Sequence, residues 1–181
     1  MTLREGGWIF AAGSRLYGVS DEFEDAGQGA AGQEGVVRVL GLDVGDRRIG
    51  VAISDGLGIT AQPLFTLQRT SKKGDLKKEL KWIGRVMRKH GATEVVVGNP
   101  LHMSGEVSPQ AVKAQAFAEA LRAEFGVTVH LWDERLTSVA ANEILDDAGY
   151  ARGVERKKVI DQVAAVVILR GWLEGRGKVG G

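Results

Sequence analysis

The spacing of apolar runs after Val36 constrains the fold most tightly. VVRVLGLD, RIGVAIS and AQPLFTL follow one another across short turns, whereas TEVVVG and VTVHLW are each reached through a helical period. Runs joined by short turns pair as antiparallel hairpins, and strands reached through a helix pair in parallel. Three hairpin-linked strands followed by alternating helix and strand predict one mixed sheet in an α/β domain.

The helical segments carry their own punctuation. KKGDLKKELKWIGRVMRKHG places Leu76, Leu80, Ile83, Val86 and Met87 at helical spacing and stops at Gly91. SPQAVKAQAFAEALRAEFG offers Ser108 as N-cap, Pro109 in the first turn and Gly126 as the stop. TSVAANEILDDAG predicts a third, short helix. The last, within GVERKKVIDQVAAVVILRGWLEG, is apolar almost all round from Val159 to Leu169 and is expected to be buried.

Three acids break the rules of this scaffold. Asp43 ends the first strand on the face shared by Val37, Val39 and Gly41. Asp161 lies one helical turn before Ala165, in line with the apolar stripe. Glu134 follows the fifth strand, with Asp133 as its rival on the opposite face. Each has a plain alternative: a turn residue for Asp43, a partner such as Arg135 or a helix N-terminus for Glu134. Asp161 is the hardest to explain so, because a buried acid without a partner costs several kcal/mol. Asp46 and Asp55 are expected to be turn residues.

Cysteine is absent and histidine is confined to His90, His102 and His130. Three converging carboxylates would therefore form an all-oxygen site suited to Mg²⁺ or Mn²⁺ and not to zinc. Two such ions can activate water and stabilise the leaving oxygen in an in-line attack on a phosphodiester.

The chain has 24 basic and 23 acidic side chains, but residues 1–35 hold six acids against two arginines, leaving 22 bases against 17 acids in the rest. That excess suits an anionic partner where it is clustered. Arg47 and Arg48 follow Asp43 and are either phosphate contacts or a solvated hairpin pair. Lys77, Lys81, Arg85 and Arg88 form a stripe on the first helix, either a solvated face or a track for a nucleic-acid backbone. Lys157 and Lys158, one turn before Asp161, are better placed to touch a scissile strand. Residues 1–35 read as a flexible extension, compatible with a translation start near Val36 or Val37, and 176–181 as a flexible tail; the domain is expected over 36–175. No apolar run reaches bilayer length and no signal peptide is expected, so the reading is a cytoplasmic protein.

In this order LGLDVGDRRIGVAISD, AQPL, VVVGNPLHMSG, DERLTS and IDQVAA resemble the YqgF family, also called RuvX, whose members are pre-16S ribosomal RNA nucleases distantly related to Holliday junction resolvases of the RuvC type. The resemblance implies a ribonuclease H-like fold: a five-stranded mixed sheet, order 3-2-1-4-5, strand 2 antiparallel, helices on both faces. It also implies Asp43, Glu134 and Asp161 as the catalytic, metal-binding acids. His102 and Ser104 depart from the Asn or Asp expected in the GxPLxMxG loop. The implied activity is metal-dependent cleavage of structured nucleic acid, most simply the 5′ end of pre-16S ribosomal RNA. The alternatives are a resolvase of four-way DNA and a non-catalytic RNA-binding module. The phosphate loop of actin-like ATPases and sugar kinases is also similar to GLDVGDRRIGVA, but those enzymes need two such domains.

Overall fold

The computed structural model describes residues 37–69, 76–135 and 154–176, with side chains in the last stretch from Ile160 onward. Strands β1 (Arg38–Val44), β2 (Arg48–Ser54) and β3 (Ala61–Gln68) form the meander. Helix α1 (Lys77–His90) leads to β4 (Ala92–Asn99), and α2 (Pro109–Phe125) leads to β5 (Thr128–Asp133). The last described element is α3 (Val154–Arg176). The expected helix over TSVAANEILDDAG, the extension and the tail beyond Arg176 lie outside the described residues.

The strands form one sheet in the order β3-β2-β1-β4-β5. β2 pairs antiparallel with both its neighbours, β1 and β3, while β1 pairs parallel with β4 and β4 with β5, so β2 alone runs against the other four strands. The sheet is thus the predicted mixed one, order 3-2-1-4-5.

Strand alternation assigns each side chain to a layer. Leu40, Leu42, Ile49, Val51, Val95 and Val97 pack with Ile83 and Val86 of α1 and Phe117 and Leu121 of α2. Val39, Ala52 and Val96 face the other way, onto Ala165, Ile168 and Leu169 of α3. Helices therefore cover both faces, as parallel pairing at the sheet centre demands.

The helix ends follow the sequence signals. Ser108 is the N-cap of α2, its hydroxyl accepting from the Ala111 amide at 3.0 Å, and Gly91 and Gly126 close α1 and α2 in the left-handed conformation. α1 begins at Lys77 without a side-chain cap.

α3 lies close to the sheet because glycines give it room. A β-carbon at Gly41 would stand 2.6 Å from Leu169 Cβ and 2.9 Å from the Ala165 carbonyl oxygen, and one at Gly50 would overlap the Asp161 carbonyl. Contacts under 3 Å require something to shift, so this packing distance is written into β1 and β2.

Candidate active site

Asp43 is carried by the last turn of β1, where alternation puts it on the α3 face with Val39 and Gly41. Directly opposite it in the β1–β2 ladder stands Gly50, and against Gly50 lies the backbone of Asp161. Two residues far apart in sequence are thus brought together across a single glycine.

Glu134 arrives from the other side. Its amide donates to the Asn99 carbonyl at 3.5 Å, at the end of β4, and its carboxylate lies over Gly98, where a β-carbon would overlap Oε1. Gly98 thereby leaves space at the strand end for an acid supplied by the next strand. Asp133 points away and is exposed; Arg135 takes it, with Nε 2.7 Å from Oδ2 and the amide 3.1 Å from Oδ1. Arg135 is the partner of Asp133 and not of Glu134.

Burial makes all three acids resist ionisation, and Asp43 adds charge repulsion with its neighbours. Burial, and then the charge of Asp161, pushes Asp43 up to about 6. Burial first, then Asp43 and Asp133, pushes Glu134 up to about 7. Burial also raises Asp161, with Arg48 pulling the other way. Such raised carboxyls in one place are unfavourable for the fold alone and mark candidate functional groups.

Arg48 meets Asp161: Nε stands 2.9 Å from Oδ2, both side chains partly covered. Even so, Oδ2 is buried and accepts no aligned hydrogen bond. Among the described residues no three acids or histidines are already closed into a metal-ligand group. The chemistry of the donors nevertheless fits a hard divalent cation: carboxylate oxygens only, all three groups driven upward chiefly by burial, and one buried oxygen without a hydrogen bond.

The turn after Asp43 is clamped from two elements. Arg69, just past β3, donates from Nη1 to the Gly45 carbonyl at 2.8 Å and from its amide to the Arg47 carbonyl at 2.9 Å. From α2, Gln110 Nε2 donates to the Val44 carbonyl at 2.5 Å and Lys113 Nζ pairs with Asp46 at 2.5 Å. These braces were not legible as site residues; only the helix N-terminus signal at Ser108 placed Gln110 and Lys113 near a loop. Asp55 is a turn residue, as expected, accepting from the amides of Ile59 at 2.7 Å and Thr60 at 3.1 Å.

The basic candidates divide. Arg47 is exposed in the β1–β2 turn, and Arg48 reaches Asp161. Lys77, Lys81 and Arg85 are exposed on α1, which packs against the sheet face opposite α3. The structure does not bring them to the acids. The side chains of Lys157 and Lys158 lie outside the described residues. The loop after β4 borders the site through Asn99; it is held by Ser108 Oγ donating to the Pro100 carbonyl at 2.5 Å, and exposes Met103 at its tip.

A 3-2-1-4-5 sheet with a reversed second strand and helices on both faces is the ribonuclease H-like class. RuvC of Thermus thermophilus, solved in complex with a Holliday junction substrate, has the same fold, with TM-score 0.51 and 18% identity over 78% of this chain and 96% of that one. Within that class the chain belongs to the RuvX family, whose model, described as Holliday junction resolvase, matches residues 37–175. Curated relatives agree. A Myxococcus xanthus protein named "Putative pre-16S rRNA nuclease" is 49% identical over 138 residues, 76% of this chain and 88% of its own length; one of the same name from Moorella thermoacetica is 47% identical over 144 residues, 80% and 99%.

Proposed function

We propose that this chain is a divalent-metal-dependent nuclease that hydrolyses phosphodiester bonds of structured nucleic acid, with the 5′ end of pre-16S ribosomal RNA as its substrate. The observation that carries the reading is the gathering of Asp43, Glu134 and Asp161 at one end of the sheet, at a cost to the fold that a cation would offset. The names of the relatives support the substrate.

Asp43, Glu134 and Asp161 would hold Mg²⁺ or Mn²⁺, two ions in the full arrangement. When bound, such ions supply an activated water and charge stabilisation at the leaving oxygen. The chain's own residues do the rest. The clamped turn fixes Asp43, Gly98 and Gly50 give Glu134 and α3 their places, and Glu134, raised to about 7 by burial and then by Asp43 and Asp133, would have to be ionised to hold a cation. Arg47, with Lys157 and Lys158, is proposed to meet phosphates next to the cut. Lys77, Lys81 and Arg85 are proposed to hold a more distant stretch of the same nucleic acid. We place the domain at 36–175 and the activity in the cytoplasm; no helix among the described residues is long and apolar enough to cross a membrane.

The family description favours a second reading, cleavage of four-way DNA. The carboxylates read phosphate and neither base nor sugar, so substrate separates the two. Purified protein with Mg²⁺ or Mn²⁺ is offered end-labelled pre-16S ribosomal RNA and a synthetic four-way junction. Cutting at the precursor 5′ end supports the first reading, cutting of the junction alone replaces it with the second, and cutting of neither rejects both.

A further inference from the structure

Arg48 opens β2, and alternation sets its side chain on the same face as Gly50 and Ala52, which lie against α3. From there its Nε comes within 2.9 Å of Asp161 Oδ2. The contact is electrostatic in character. Oδ2 is buried without an aligned hydrogen bond, so charge rather than bond geometry holds it to Arg48. Asp161 is one of three acids at this end of the sheet, its charge opposes that of Asp43, and Arg48 is the cation beside it. Among the described residues the acids are not closed into a ligand group, and Asp161 is the member engaged elsewhere.

We propose that Arg48 is the resident counter-charge of Asp161, holding that carboxylate in the cation-free protein and surrendering it when a divalent cation is bound. This rests on the metal-dependent reading above and adds to it a residue that positions a ligand rather than serving as one. A guanidinium and a divalent cation repel at such range, and the planar, permanently charged head of arginine cannot relieve the conflict by losing a proton. The pair therefore opens on metal uptake, and metal affinity is set partly by the exchange. If Arg48 instead braced Asp161 in a ligating position, its removal would weaken the site.

The test is calorimetric titration of the full chain with Mn²⁺, comparing wild type with Arg48→Gln and Arg48→Lys. Arg48→Gln is expected to bind roughly tenfold more tightly, as loss of a nearby positive charge requires, and Arg48→Lys close to wild type. Unchanged or weaker binding in Arg48→Gln overturns the proposal, while absence of binding by wild type rejects the metal site itself. A second readout does not depend on a variant keeping its fold. The ¹⁵Nε signal of Arg48 in wild type, assigned by through-bond correlation to its own backbone amide, should move on Mg²⁺ addition, and an unmoved signal at saturating Mg²⁺ contradicts the exchange.

Discussion

Gly50 stands directly opposite Asp43 in the β1–β2 ladder and carries the backbone of Asp161 on its bare α-carbon. One missing side chain thus brings strand acid and helix acid together. Gly50→Ala drives a methyl into the Asp161 carbonyl, and α3 must lift. We expect a loss of about 1–3 kcal/mol, the range for overpacking a filled site, with Mn²⁺ affinity falling further than stability alone explains. Urea unfolding and calorimetry on the same preparation separate the two effects.

The raised carboxyls fix a pH dependence. Asp43 at about 6 and Glu134 at about 7 bind protons in the folded chain at pH values where the unfolded chain, with ordinary values of 3.8 and 4.5, has lost them. Stability of the cation-free protein therefore falls as pH rises from about 4 to about 7 and stays low above that. His90, lowered by burial and by Lys89 and Arg38, acts in the opposite sense across part of this window. The comparison that isolates the acids is the slope of Tm against pH in wild type and in Asp43→Asn, which should be flatter in the variant.

Asp43→Asn should also reverse the usual sense of a mutation. Removing a buried charge near like charges is expected to raise cation-free stability at pH 8 by about 1 kcal/mol. The same change should lower cleavage at least 100-fold. A thermal scan with and without Mg²⁺ shows the exchange: Mg²⁺ raises wild-type Tm and leaves the variant near its cation-free value.

The α1 stripe predicts a different kinetic signature. Lys77, Lys81 and Arg85 lie on the layer away from the acids, so replacing all three by alanine should weaken nucleic-acid binding and flatten its salt dependence while leaving single-turnover cleavage at saturation within about twofold. Affinity measured across a salt series, beside a single-turnover rate, checks both halves.

Much of this architecture was legible in the chain because its signals are local. Short turns between the first three apolar runs dictated hairpins, and Ser108, Pro109, Gly91 and Gly126 marked helix ends by backbone chemistry alone. Asp43 and Asp161 stood out because each occupies an apolar register. Less was legible where meaning depends on contact across elements. Arg48 read as a possible phosphate contact, since only the packing of α3 on Gly50 brings Asp161 within its reach. Arg69, Gln110 and Lys113 carry no local signal of a site role, because only the fold sets them around the turn after Asp43. Gly98 gave no sign of its use, because the side chain it accommodates comes from the far end of β5.

The central claim, that Asp43, Glu134 and Asp161 form a cation-dependent phosphodiester-cutting site, is tested most directly by one time course. End-labelled pre-16S ribosomal RNA is incubated with wild type, Asp43→Asn, Glu134→Gln and Asp161→Asn, each with Mg²⁺ and with chelator. The account predicts cutting by wild type with Mg²⁺ alone. Undiminished cutting by any of the three variants, or by wild type in chelator, would contradict it.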